Sequence, residues 1–480
     1  MSGFPENGVS EDDVMAALLG ARASDLRSDG RAFAFVYDAG EGARELARRA
    51  YAACMPVNGL DPTAYPSART IENDVVAACL DLLRAPPGAV GTTTTGGTES
   101  VLLAVKTARD FARKTRPGIT RPKMLLPLTA HACFHKASHY FGVEVVSVDV
   151  DPVTFRADAA DAARKMTDDV VLVVGSAPSY AHGVVDPIAD LAALAQRHGT
   201  LMHVDACVGG PVLPFLRDVL RERGGDVPAF DFEVPGVTSL SMDLHKYGFA
   251  PKGVSVLLQR RRELRDAQYY ACSTWTGYPV VGSTMLGSKS VAAAAGALAL
   301  IRHLGREGYR AKARAMWDAT TRLVSVIDET PGLRMLGRPD MNLFGFTTDG
   351  GDVFELTDRL GERGWHVQMT YGFGPSPAHI HLTVDPGNAA RADELARDIV
   401  ACSRDLPPQT SAPEGLVALL SRIGEGELDP APLMAELGVG TGLPTKAAMI
   451  HRLLDAANPA TRERLLVSFL GGLMLDGGAS

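Results

Sequence analysis

Five short stretches of the chain carry residue types that can do chemistry, in a fixed order along the sequence. The first is Gly96-Gly97-Thr98-Glu99-Ser100, at the start of a helical pattern. Glycines let a backbone approach a ligand closely, and the free N–H groups of a helix start attract phosphate. A plain helix cap through Thr98 or Ser100 is the alternative. His131 follows an apolar run ending at Leu128. Ligands of α/β sheets sit beyond the carboxyl ends of strands, so an imidazole there could lie flat on an aromatic cofactor; a lone histidine can equally be structural. Asp205 closes the run Leu201–Val204. A buried carboxylate is costly unless paired, and a protonated pyridine nitrogen is one such partner, loop amides another. Asp243-Leu244-His245-Lys246 follows the run Ser239–Met242. A lysine in apolar surroundings loses solvation, its pKa falls, and it can form an imine with an aldehyde cofactor. A surface lysine is the alternative, made less attractive by the flanking His245, Tyr247 and Gly248. Gly287-Ser288 precedes a helix expected to begin near Lys289, and reads as a second phosphate loop or an ordinary helix start.

These residues need a scaffold that sets strand ends side by side. Apolar runs predict buried strands at Lys123–Leu128, Val143–Val148, Val170–Val174, Leu201–Val204, Ser239–Met242 and Ser255–Leu258. Helical patterns cover Glu72–Arg84, Thr98–Lys114, Ala159–Met166 and Pro187–His198, with a Gly/Thr loop between the first two. The alternation implies an α/β fold whose mainly parallel sheet is covered on both faces. Residues 1–70 read as irregular, with a helix around Glu41–Met55, and residues 71–308 as the large domain. Residues 309–406 read as a small α/β domain, opening with a long helix at Tyr309–Thr330. Residues 407–480 read as a helical extension without evident chemistry, entered through a Pro407–Pro413 linker.

Composition narrows the classes. Net charge is −8, which gives no reason to expect nucleic-acid or anionic-membrane binding. The 6 cysteines include no CxxC pair, so neither a metal site nor a disulfide framework is expected, and a reducing cytoplasm fits best. The acidic start MSGFPENGVSEDD lacks the marks of a signal peptide. The longest apolar helical stretch, Val291–Ile301, falls well short of the roughly 20 residues a membrane span needs, so no transmembrane segment is expected.

The order GGTES, histidine, HVDA, HK resembles that of fold-type-I pyridoxal-phosphate enzymes of the group II decarboxylase superfamily, and within it the sphingosine-1-phosphate lyase family. The stretches that carry this are TTTTGGTESVLLAVKTARDFA (92–112), HACFHKASHYFGVEV (131–145), SAPSYAHGVVDP (176–187), HVDACVGG (203–210) and GVTSLSMDLHKYGFAPKG (236–253). The resemblance implies an aspartate-aminotransferase-like large domain, pyridoxal 5'-phosphate as cofactor and a homodimer with its active site at the subunit interface. It implies that Lys246 carries the cofactor, Asp205 faces the ring nitrogen and His131 stacks on the ring. Gly97, Thr98 and His245 would hold the cofactor phosphate, Gly287 and Ser288 would reach it from the partner subunit, and Ser176 and His182 would border it. Asn58 and Tyr65 would touch substrate.

One lysine separates two reactions on this scaffold. The lyases have a second lysine in a PKG stretch, and Pro251-Lys252-Gly253 reproduces it; the related glutamate decarboxylases have a neutral residue there. Retro-aldol cleavage must remove a proton from a β-hydroxyl, whereas decarboxylation needs no such base. A solvated loop lysine is the alternative. The resemblance thus implies cleavage of a β-hydroxy amine to an aldehyde and a small amine, phosphoethanolamine if the family substrate holds. An L-amino-acid decarboxylase and a non-catalytic protein of the same fold are the rivals; intact Lys246, Asp205 and His131 argue against the second. Two departures bear on the substrate. Asn58-Gly59-Leu60-Asp61-Pro62-Thr63 stands where the lyases resemble Asn-Pro-Leu-His-Pro-Asp, adding an anion unfavourable beside a substrate phosphate. Gly287-Ser288-Lys289 replaces Gly-Ser-Arg, keeping the charge and losing the fork.

The cofactor assignment has a direct test. The purified protein should be yellow, and borohydride should fix the cofactor on Lys246; peptide mapping that finds it on Lys252 or elsewhere would remove Lys246 from the role.

Overall fold

Runs of branched and apolar residues alternating with amphipathic helices assemble into a seven-stranded sheet. In the computed structural model, which describes residues 4–410, 414–430, 432–433 and 447–475, the strands are β1 (Val90–Thr94), β2 (Lys123–Pro127), β3 (Glu144–Val148), β4 (Val170–Ser176), β5 (Leu201–Asp205), β6 (Ser239–Met242) and β7 (Ser255–Gln259). Their spatial order is β1-β7-β6-β5-β4-β2-β3. The pairs β2–β3, β2–β4, β4–β5 and β5–β6 are parallel, while β7 runs antiparallel to both β6 and β1. β4 to β7 are buried along their whole lengths, as a sheet covered on both faces requires. On one face lies the helix Gly97–Thr115, which sets Val101, Leu102, Val105, Ala108 and Ala112 at helical spacing against Met124, Leu126, Val171 and Val174. Ile188–Arg197 and Leu213–Arg221 belong to the larger core that fills the other face.

Several elements differ from the sequence pattern: residues 1–70 carry the helix Glu11–Ala21 besides the expected one, and the helix expected at Tyr309–Thr330 begins at Ala292. Val90–Thr94 is a strand, not a loop, because its threonines, although polar, are β-branched and fit a pleated edge. Cys133–Phe141 forms a helix after His131 that the pattern did not reveal.

A hairpin, β8 (Tyr270–Cys272) and β9 (Val280–Gly282), leads to the helix Ala292–Glu329. That helix breaks at Gly305, whose φ of 56° suits glycine and resists a side chain. Beyond it, β10 (Leu333–Leu336), β11 (Leu343–Thr348), β12 (Gln368–Thr370) and β13 (His379–Thr383) form an antiparallel sheet in the order β10-β11-β13-β12. No helix among the described residues is long and apolar enough to cross a membrane.

The C-terminal helices Glu414–Glu425, Ala448–Ala456 and Pro459–Leu475 share a small core of Leu420, Ile423, Leu453 and Leu465. They are fastened to the small sheet's helical face. Asp358 accepts the Ala447 and Ala448 amides at 2.9 and 3.0 Å, and Arg452 pairs with buried Asp352 at 2.7 Å. The expected linker is held down at its start, where Pro407 accepts the Asp352 amide at 2.9 Å; its residues 411–413 lie outside the described residues.

Asp358→Ala should leave two helix-start amides without an acceptor, costing about 1–3 kcal/mol. Hydrogen exchange should quicken across 448–456 and stay unchanged in β4 and β5. Equal protection in variant and wild type would show that this carboxylate does not hold the extension.

Candidate active site

The strand order reverses between β2 and β4, with β3 outside β2 and β5 to β7 on the far side. Open α/β sheets bind ligands at such a switch point, beyond the carboxyl ends of the strands. Here β2 delivers His131, β4 ends in Ser176, β5 ends in Asp205, and β6 runs into Asp243, His245 and Lys246. All of these, with Gly97, Thr98 and Lys252, line one cavity of about 710 Å³.

Inside the cavity, Lys246 Nζ lies 2.9 Å from Asp243 Oδ2, and that carboxylate is 1% exposed. Ser255, at the start of β7, donates its hydroxyl to Asp243 Oδ1. Burial alone would lower the Lys246 pKa, but the Asp243 carboxylate outweighs it and the pKa is raised. This corrects the expectation of a depressed lysine: the surroundings are not merely apolar but hold a counter-ion.

Lys252 behaves oppositely. Loss of solvent and the positive charge of Lys246 push its pKa down. Its ammonium donates to the His245 carbonyl at 3.0 Å and sits 4.8 Å over the Tyr37 ring. Asp205 Oδ1 accepts the Cys207 amide at 3.0 Å. Burial opposes its ionisation, yet the bonds to Cys207 and the nearby His131 hold it below the usual carboxylate range. His245 donates Nδ1–H to the Val254 carbonyl at 2.8 Å, and burial lowers its pKa, so it is neutral. His131 Nδ1 accepts the Cys133 amide at 3.2 Å, which fixes the ring.

The loop before the helix Gly97–Thr115 is held by Glu99. One carboxylate oxygen takes the Thr95 amide and hydroxyl at 2.6 and 2.8 Å, the other the Met285 amide at 2.7 Å. A Cβ at Gly97 would lie 2.7 Å from both Asp243 oxygens and 2.9 Å from Cys207 Sγ, so only glycine lets this backbone come so near.

Other residues singled out in the sequence lie elsewhere. Neither Asn58 nor Tyr65 lines this cavity: Asn58 pairs with Ser290 in an isolated bridge, and Tyr65 precedes the helix Pro66–Leu82. Gly287 borders a second cavity of about 1020 Å³, with Asp61 and Lys289, while Ser288 lines neither. Lys289 is tied at 2.9 Å to Glu72, so its charge is already met within the chain. Asp61 caps its own turn through the Thr63 and Ala64 amides. His182 lies off the cavity wall. It stacks on Phe155 with centroids 4.1 Å apart, and burial pushes its pKa to about 3.

Sequence reasoning missed Asp243, Phe35, Tyr37, Tyr180 and Gln368 as wall residues. Asp243 carried the same signal as Asp205, a carboxylate at a strand end. Tyr180, whose hydroxyl donates to Gln368 Oε1 at 2.7 Å, and Gln368 from β12 carried no local signal.

The model of the pyridoxal-dependent decarboxylase conserved domain matches residues 28–348. A second model, HTH_PLP, which describes a C-terminal domain of pyridoxal-dependent enzymes, matches residues 398–472. The chain is 37% identical over 404 residues to a sphingosine-1-phosphate lyase of Oryza sativa subsp. japonica, covering 82% of this chain and 73% of that protein. It is 34% identical to a "Probable L-tyrosine/L-aspartate decarboxylase" of Methanothermobacter thermautotrophicus, covering 68% of this chain and 86% of that protein. The solved structure of a Burkholderia pseudomallei sphingosine-1-phosphate lyase superposes with a TM-score of 0.79 at 33% identity, over 85% of this chain and 93% of the other.

The donor set fits pyridoxal phosphate: an amine, a buried carboxylate at a strand end, and glycine backbone opening a helix where a Cβ would collide. The chain therefore belongs to the pyridoxal-dependent decarboxylase family, in its sphingosine-1-phosphate lyase branch, as a fold-type-I lyase that uses pyridoxal 5'-phosphate.

Proposed function

We propose that the chain cleaves the Cα–Cβ bond of a phosphorylated long-chain β-hydroxy amine, releasing an aldehyde and phosphoethanolamine. The observation that carries this reading is Lys252. It is a second amine at the cavity wall, anchored to the His245 carbonyl and the Tyr37 ring, with its pKa lowered by lost solvent and by Lys246. A base must be neutral to take a proton, and a depressed pKa raises its neutral fraction near neutral pH.

When bound, pyridoxal phosphate supplies an aldehyde for the substrate amine and a ring that accepts the electron pair left on the α-carbon. Lys246 would be the attachment point, and Asp205 would keep a proton on the ring nitrogen. Gly97, Thr98 and His245 would hold the phosphate; His245, with Nδ1–H engaged by the Val254 carbonyl, would have to gain a proton on Nε2 to donate to it. His131 would cover the ring, Ser176 would border it, and Lys252 would remove the proton of the β-hydroxyl. In this reading residues 71–308 bind the cofactor, residues 309–406 complete the site through Gln368, and residues 1–70 form its mouth.

We read the active unit as a cytoplasmic homodimer. Asn58, Tyr65, Gly287 and Ser288 lie outside their own chain's cavity, where a partner's site could use them. Tyr270, Trp275, Tyr278 and Val281 expose apolar surface of the kind a second subunit covers. All six cysteines are free, as a reducing compartment favours.

A second reading, an L-amino-acid decarboxylase, is favoured by the 34% identical archaeal relative. One variant separates the two. Lys252→Ala should lower aldehyde release by roughly two to four orders of magnitude while the cofactor's absorbance on Lys246 persists. The wild-type rate should rise with pH as Lys252 loses its proton, with a midpoint below the 10.5 of a free lysine, because the shift is downward. Carbon dioxide release from an amino acid, with no cleavage of any β-hydroxy amine, would establish the decarboxylase instead.

A further inference from the structure

The segment that brings Tyr37 to the cavity is pinned before it arrives. The Phe33 amide donates to the His366 carbonyl at 2.8 Å, and the Phe33 carbonyl accepts the Thr383 amide at 2.7 Å. Phe33 is fully buried, its ring edge-on to Trp365 with centroids 5.8 Å apart. Two residues later the chain turns sharply. The Val36 amide donates to the Ala34 carbonyl at 2.8 Å, and Phe35 between them has φ +62°. This three-residue turn with positive φ is rare and strained, and a bulky aromatic is among the residues least suited to it.

Phe35 gains no burial in return. It is 57% exposed, its ring only tilted against His366 at 5.9 Å, while its neighbour Ala34 is 1% exposed. A turn that needed positive φ alone would be served by glycine. The ring instead stands at the rim of the catalytic cavity, where Phe35 is a wall residue. The interior beyond it is polar, with Asp205, Asp243, Lys246 and Lys252. Strained backbone clusters at ligand sites, where the strain is part of how a side chain is presented.

We infer that Phe35 is a specificity-determining residue: its ring receives the hydrocarbon part of the amine substrate at the cavity rim, while the polar interior takes the amine and hydroxyl. This rests on the reading of the substrate as a long-chain β-hydroxy amine.

The test uses the holoenzyme with phosphorylated bases of long and short chain. Phe35→Ala should raise KM for the long-chain base about 10-fold, the scale of losing part of an apolar contact, with kcat nearly unchanged. KM for the short-chain base should not move. Phe35→Leu should recover most of the long-chain preference. Phe35→Gly should lose that preference yet unfold at a higher temperature than Phe35→Ala, since glycine accepts the turn without strain. It also serves as the test should the alanine variant fail to fold. An unchanged ratio of long-chain to short-chain KM in the alanine or the glycine variant would overturn the inference while leaving the lyase reading intact. So would a change of assembly state without a change in that ratio. A wild-type enzyme that cleaves neither base would overturn both.

Discussion

Burying one carboxylate constrains the whole site. Asp243 is 1% exposed, and an ion that deep costs several kcal/mol unless its charge and lone pairs are met. Lys246 meets the charge at 2.9 Å, and the Ser255 hydroxyl takes the other oxygen. For Ser255 to be there, β7 must return antiparallel beside β6, with Val256 opposite Met242. For the cavity to stay open above the pair, the helix start must present bare backbone, and Gly97 is where a side chain would strike Asp243.

The sheet then has two halves with different duties. The parallel strands β2, β4, β5 and β6 place their carboxyl ends in a row and supply His131, Ser176, Asp205 and the Asp243–Lys246 turn. The antiparallel edge, β7 with β1, supplies Ser255 and leads directly into the Gly96-Gly97 loop, since β1 ends at Thr94. Glu99 extends this coupling by holding both the Thr95 turn and the Met285 amide, so the loop before Gly287 is positioned from the same helix that opens the cavity. The small sheet contributes through Gln368, held by Tyr180 from the large sheet's β4–β5 connection.

Local pattern made much of this legible. Buried strands are continuous apolar runs, so parallel β2, β4, β5 and β6 and antiparallel β7 could be read directly, and the chemistry followed at their ends. β1 was hidden because its signal is three threonines rather than apolar alternation. His182 was misplaced because position in a motif says nothing of direction; its ring turns away to stack on Phe155. Tyr37 and Gln368 were invisible because they enter from segments far off in sequence, one pinned through Phe33 to β13, the other on β12. Lys289 looked available for a phosphate because a charge in a sequence carries no record of its partner, here Glu72.

The two lysines show most plainly what composition cannot carry. Lys246 and Lys252 are six positions apart on one connection between β6 and β7, and desolvation pushes both toward neutrality. Asp243 decides between them. Lys246 touches it at 2.9 Å and is held charged. Lys252 is farther off, feels the positive charge of Lys246 more than the carboxylate, and meets a carbonyl and an aromatic face, neither of which can take up its charge fully. One buried anion thus splits two identical side chains: Asp243 holds Lys246 as its charged partner, while Lys252, out of contact with it and beside a second cation, gives up its proton more readily.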